Sequence, residues 1–117
     1  MITQLDDAAV HATPNATMRR YGGTEVAVWR TEMGSSASGP CHRIDTDQVV
    51  VLVEGGLEVR AADEVRVLRP GDAVLLPAGS EWQLVAGDAG AVTLSAALPG
   101  GVARVGDGEP VVVPWSR

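Results

Sequence analysis

Short apolar runs, most of them rich in valine, recur along the chain and are separated at regular intervals by glycine, proline and aspartate. Valine is β-branched and packs better on a pleated strand than in a helix. The runs predict strands at Glu25–Thr31, Gln48–Val53, Gly56–Arg60, Glu64–Leu68, Ala73–Leu76, Glu81–Val85, Gly90–Ala96, Val102–Val105 and Val111–Val113. Between them stand turn signals such as Gly55-Gly56, Pro70-Gly71-Asp72, Pro77-Ala78-Gly79, Gly87-Asp88 and Gly106-Asp107-Gly108. Many short strands at this spacing suit an all-β sandwich or barrel. No 3.6-residue apolar period is present, and the one helical candidate is a short segment over residues 3–10, following Thr3. Gly34–Gly39 reads as a surface loop.

Alternation leaves one strand open. In Glu25–Thr31 and the residue after it, Trp29 shares a face with Ala27, while Arg30 shares the other with Val28 and Glu32. If Arg30 faces inward, it can pair with a carboxylate or phenolate ligand. If Trp29 does, an interior pocket gains an indole and Arg30 belongs to the surface.

Composition narrows the function classes. The 117 residues carry 9 Arg and no Lys against 15 Asp+Glu, a net charge of −6, and the aromatics are only Tyr21, Trp29, Trp82 and Trp115. An acidic chain with few stacking side chains argues against nucleic acid as a partner. Absence of Lys excludes a Schiff-base mechanism. One Cys gives no disulfide within the chain. No signal peptide and no 18-residue apolar run is visible, so a cytoplasmic protein without a membrane partner is expected. The length suits one compact domain.

Two segments go further. One is Pro40-Cys41-His42-Arg43-Ile44-Asp45-Thr46-Asp47-Gln48, continuing to Gly55; the other is Gly71-Asp72-Ala73-Val74-Leu75-Leu76-Pro77-Ala78-Gly79-Ser80-Glu81-Trp82. Together they resemble the paired motifs of the cupin superfamily, with Gly71, Pro77 and Gly79 at the motif spacing of the second and His42, Gln48 and Gly55 in register with the first. The resemblance covers about residues 24–96. It implies an antiparallel jelly-roll barrel formed by a single domain over residues 1–117, on which an N-terminal segment, 1–23, and a C-terminal hairpin, 97–117, pack.

The resemblance also implies where a pocket lies, and the departures from the motifs imply what it lacks. Family members hold a metal with two His and a Glu from the first motif and a His from the second. Those positions here read His42, Ile44, Gln48 and Trp82. One imidazole beside an amide, an aliphatic chain and an indole does not make a metal site. Neither metal nor other cofactor is expected.

If the four residues face the barrel interior, His42 sits in a desolvated place that favours the neutral ring and suits a general base. Gln48 can orient His42 or a substrate carbonyl. The bland alternative is structural: His42 and Gln48 hydrogen-bond each other or a buried water. Cys41 is expected on the opposite face from His42 as a small buried residue, not a nucleophile. Asp45 and Asp47 read as a solvated turn.

These readings converge on a small-molecule pocket protein: a metal-independent isomerase, dehydratase or cyclase acting on a polyketide-like or aromatic intermediate. His42 and Gln48 are its catalytic candidates, and Trp82, Ile44, Arg30 and Trp29 its substrate-binding ones. A non-catalytic binder or sensor is the first alternative. The second is a metal enzyme with an atypical ligand set, drawing His42 together with Glu32, Asp47 or His11. The apolar stretch Val111–Trp115 must either pack back on the barrel or meet another subunit, and a homodimer is expected.

Overall fold

A computed structural model describes residues 8–22 and 25–116. Ten strands follow in chain order: β1 (Ala9–Ala12), β2 (Ala16–Gly22), β3 (Ala27–Met33), β4 (His42–Ile44), β5 (Gln48–Ala61), β6 (Val65–Leu68), β7 (Ala73–Leu76), β8 (Glu81–Ala97), β9 (Val102–Arg104) and β10 (Val111–Val112). A 3₁₀ turn, Pro114–Ser116, follows β10. All pairings are antiparallel. The fold is the expected all-β jelly roll.

Two long strands build it. The first half of β5 pairs with the last part of β8, and the second half of β5 with the beginning of β8. The first half of the ladder continues through β3, β2 and β1 on one side and β7 on the other. The second half continues through β4, β9 and β10 on one side and β6 on the other. The result is two sheets that share β5 and β8, folded over one another with the core between.

The fold-over explains why the sequence predicts two strands where β5 and β8 each form one. Gly55-Gly56 and Gly87–Gly90 are irregular corners within the ladder, where the register shifts between Gly55 and Leu57. At the corner the two backbones nearly touch. A Cβ on Gly55, whose φ is +82°, would lie 2.1 Å from the Gly90 carbonyl oxygen. One on Gly90, at φ +77°, would lie 2.6 Å from that of Met33. Only glycine fits both positions. The corner also resets the inward parity of β5, from Gln48, Val50 and Leu52 before it to Leu57 and Val59 after it.

The main core joins Met33, Ile44, Val50, Leu52, Leu57, Val59, Leu68, Leu76 and Trp82. A smaller cluster of Met18, Ala27 and Trp29 packs beside it, with Trp115 reaching both. The main core is thus largely aliphatic, with Leu52, Leu57, Leu68 and Leu76 beside Val50, Val59 and Val113. Val49, Val53, Val65 and Val67 lie on outer faces, at least 40% exposed.

Several sequence expectations change. The helix over residues 3–10 falls largely outside the described residues, and its end, Ala9-Val10, is strand. Neither β1 nor β2 was expected, since both are too polar to show an apolar pattern. Asp45 and Asp47 are exposed at a bend, as expected of a solvated turn, and in addition latch loops: Val102 N donates to Asp45 Oδ1 at 2.8 Å, and Ala78 N to Asp47 Oδ1 at 2.7 Å. Cys41 is exposed, not buried. The C-terminal stretch packs back on the barrel through Val113 and Trp115, leaving Val111 and Val112 exposed.

Candidate functional site

Between the two sheets lies a cavity of about 320 Å³. One wall comes from Met18, Trp29, Thr31, Met33, Gln48, Thr93 and Ser95, the other from His42, Ile44, Trp82, Leu84 and Ala103. The β1–β2 turn and the C-terminal stretch, including Val113, Pro114 and Trp115, close the mouth. Of the candidates read from the sequence, His42, Ile44, Gln48, Trp82 and Trp29 all line this cavity. Arg30 does not, which corrects its assignment as a substrate-binding residue. Burial of the indole decides the parity: Trp29 is 3% exposed and faces in, so Arg30 faces out and pairs with Glu32.

His42 and Trp82 are directly opposite on β4 and β8, with ring centroids 4.2 Å apart and planes tilted by 55°. His42 Nδ1 lies 2.8 Å from the Pro40 carbonyl oxygen. That contact assigns the ring proton to Nδ1, which donates, and leaves Nε2 as the free acceptor of the neutral ring. Burial against apolar walls lowers the His42 pKa below its ordinary value of 6.5, opposed in part by the Pro40 carbonyl. The imidazole is thus a neutral base with a fixed tautomer.

Gln48 is 5% exposed, and its side-chain amide has no hydrogen bond to a described residue. The structural His42–Gln48 pair is therefore not formed; His42 bonds Pro40 instead. The amide is open to the cavity. So are the hydroxyls of Thr93 and Ser95, which sequence reading missed. Strand alternation through Ala91–Ala96 favours burying Val92 and Leu94, yet Thr93 and Ser95 are 1% and 4% exposed while Leu94 is 37% exposed. Trp115 was missed as a lining residue, although packing of its stretch back on the barrel was one of the two expected outcomes.

No charged side chain lines the cavity among the described residues. The residues at the family's metal-ligand positions do not fit a metal, since only His42 among them is an ordinary ligand. No group of three His, Cys, Asp or Glu among the described residues can hold one. The atypical set is not brought together either: Glu32 pairs with Arg30 outside, Asp47 holds Ala78, and His11 sits on the peripheral β1. Cys41 points away from His42. Its thiol lies 3.3 Å from Glu81 Oε1, and this hydrogen bond raises the thiol pKa, so the thiolate is disfavoured.

An antiparallel jelly roll enclosing a ligand-sized cavity between its sheets is the class of protein defined by this geometry. The chain matches no family sequence model and no curated protein sequence at a significant level. Solved structures do match. An RmlC-like cupin from Shewanella frigidimarina superposes with a TM-score of 0.76 at 18% identity, covering 84% of this chain and 89% of that one. KdgF from Halomonas sp. gives 0.76 at 22% identity, over 85% and 94% of the two chains. The polyketide cyclase RemF from Streptomyces resistomycificus gives 0.73 at 18% identity, over 84% and 78%. The chain has the cupin fold, as the paired motifs imply.

Among the described residues no helix is long and apolar enough to cross a membrane.

Proposed function

We propose that the protein is a metal-independent enzyme of the isomerase, dehydratase or cyclase kind, acting on a small uncharged polyketide-like or aromatic molecule, with His42 as its acid–base residue. The carrying observation is the neutral His42 ring, its Nε2 free beside Trp82 in a cavity without a charged wall. On a carbonyl substrate each of these reactions can begin with proton removal next to the carbonyl, a step for a positioned general base. The C–H bond breaks, its electron pair moves into the carbonyl to give an enolate, and Nε2 takes the proton. The Gln48 amide N–H, which lines the same cavity, is a donor suited to the enolate oxygen. A polyketide cyclase among the proteins of similar fold supports the reading.

The test is exchange of the C1 protons of 2-tetralone, an uncharged bicyclic ketone, followed by NMR in D₂O. The protein is expected to accelerate exchange, with the rate rising as pH passes upward through a His42 pKa below 6.5 and then levelling. His42→Gln should lower the rate by about 100-fold or more. Tight binding of the ketone with no acceleration would instead establish a binder.

We also propose a homodimer, formed by the outer face of β8, β5 and β7 and not by the C-terminal stretch. Val28, Ala96, Val49 and Leu75 form one continuous cross-strand row, with Arg30, Leu94, Val51 and Ala73 in the next. These two rows carry no acidic residue, and their one charge, Arg30, is paired with Glu32, so two copies meet without carboxylate repulsion despite the net charge of −6. Sedimentation should show a dimer, and Leu75→Glu should give a folded monomer. A wild-type monomer at high micromolar concentration removes the dimer proposal.

A further inference from the structure

The last part of β8 is inside out. It buries two hydroxyl side chains, Thr93 and Ser95, and turns Leu94 to the exterior. Folding alone favours the opposite register, because burying a hydroxyl without a partner costs about 1–3 kcal/mol while burying a leucine gains about as much. Neither hydroxyl bonds to a described residue, and neither does the Gln48 amide. All three are at least 95% buried and line the same cavity. Their placement is regular. Ser95 lies opposite Val50, two residues along β5 from Gln48, and Thr93 lies opposite Thr31 on β3. The cavity therefore has a wall of neutral hydrogen-bonding groups on one sheet. Across from it stands the ring pair of His42 and Trp82 on the other.

We infer that Gln48, Ser95 and Thr93 form a recognition wall for carbonyl or hydroxyl groups along one edge of a flat, uncharged, fused-ring ligand lying against His42 and Trp82. The inference rests on the pocket reading above and adds the ligand's chemical class and the residues that select it. The walls fit this class on three grounds. Hydroxyl and amide groups both donate and accept, so they match phenols and ketones alike. The absence of a cation among the lining residues leaves a carboxylate or phosphate without compensation for its lost hydration. The volume of about 320 Å³ is roughly twice that of a ~150 Å³ cavity that takes up benzene, which gives room for two or three fused rings.

Affinities of 2-naphthol, 2-methylnaphthalene and the 2-naphthoate anion, measured by quenching of tryptophan fluorescence, test the inference. 2-Naphthol should bind about five- to tenfold more tightly than its methyl counterpart, the effect of one net hydrogen bond, and the anion should bind most weakly. The near-isosteric double variant Thr93→Val/Ser95→Ala should bring the naphthol-to-methylnaphthalene ratio close to one while keeping methylnaphthalene affinity. Ser95→Ala alone, with a smaller loss, serves if the double variant does not fold. A ratio unchanged in a folded variant overturns the recognition wall and leaves the His42 reading standing. Failure of both neutral naphthalenes to bind overturns the pocket reading itself. Equal binding of both by the wild type overturns only the wall.

Discussion

Gly55→Ala is expected to lower the free energy of unfolding by about 4 kcal/mol, close to the whole stability of a marginal domain. Two penalties add. At φ +82° any side chain enters the left-handed region, which costs about 1–2 kcal/mol. The new methyl would also lie 2.1 Å from the Gly90 carbonyl oxygen, which is backbone and has no rotamer to escape into. The corner must open, and β5 and β8 pair on both sides of it. Gly71→Ala is the control. Its φ is +94°, but nothing lies within 4 Å of the added Cβ, so only the about 1–2 kcal/mol conformational term applies. Urea unfolding of the two variants beside the wild type measures both. Equal losses would show that the close approach at Gly55 does not matter.

Trp82→Ala is expected to cost about 3–5 kcal/mol, the usual range for removing a large aromatic from a core. The side chain is 4% exposed and belongs to the main cluster. The substitution also takes away the ring that shields His42, so the His42 pKa should move up towards 6.5 as water enters. The sign for stability follows. In the wild type the folded-state pKa of His42 lies below the unfolded one, so the unfolded chain binds more protons between the two. His42 then contributes stability above pH 6.5 that is lost as pH falls through its folded-state pKa. Trp82→Ala should flatten this dependence. NMR titration of the His42 ring and urea midpoints across pH 5–7.5 check both halves. An unmoved His42 pKa in the folded variant would show that Trp82 is not what keeps the ring dry.

The fold was legible where local chemistry and tertiary structure agree. Gly71 stands in the turn before β7 and Pro77 and Gly79 in the turn after it, as the second motif marks, and β3, β6 and β7 fall within a few residues of their sequence predictions. It was illegible where a long-range partner decides. β1 and β2 carry His11, Arg19 and Arg20 among small residues, and only pairing on β3 makes them strands. The Gly55-Gly56 pair has the chemistry of a turn but serves as a corner, because β8 runs alongside and holds the chain in the ladder.

The site divides in the same way. His42, Ile44, Gln48 and Trp82 were found by register with a known motif, and all line one cavity. Trp29 and Arg30 could not be told apart on their own strand; Ser95 and Val50 beside Trp29 show which face is the interior. Thr93 and Ser95 were hidden by the same alternation rule that finds most strands, since the rule assumes that a core is apolar. Their strand breaks it.

Because β5 and β8 each run through both sheets, the two walls of the cavity are one pair of ribbons doubled over. Thr93 on one wall and Trp82 on the other belong to a single strand, joined by backbone through the Gly87–Gly90 corner. The walls have no freedom to slide past each other as separate layers. Widening the cavity means changing the fold angle of that pair, so the glycine corner acts as the spine of a book whose facing pages are the cavity walls.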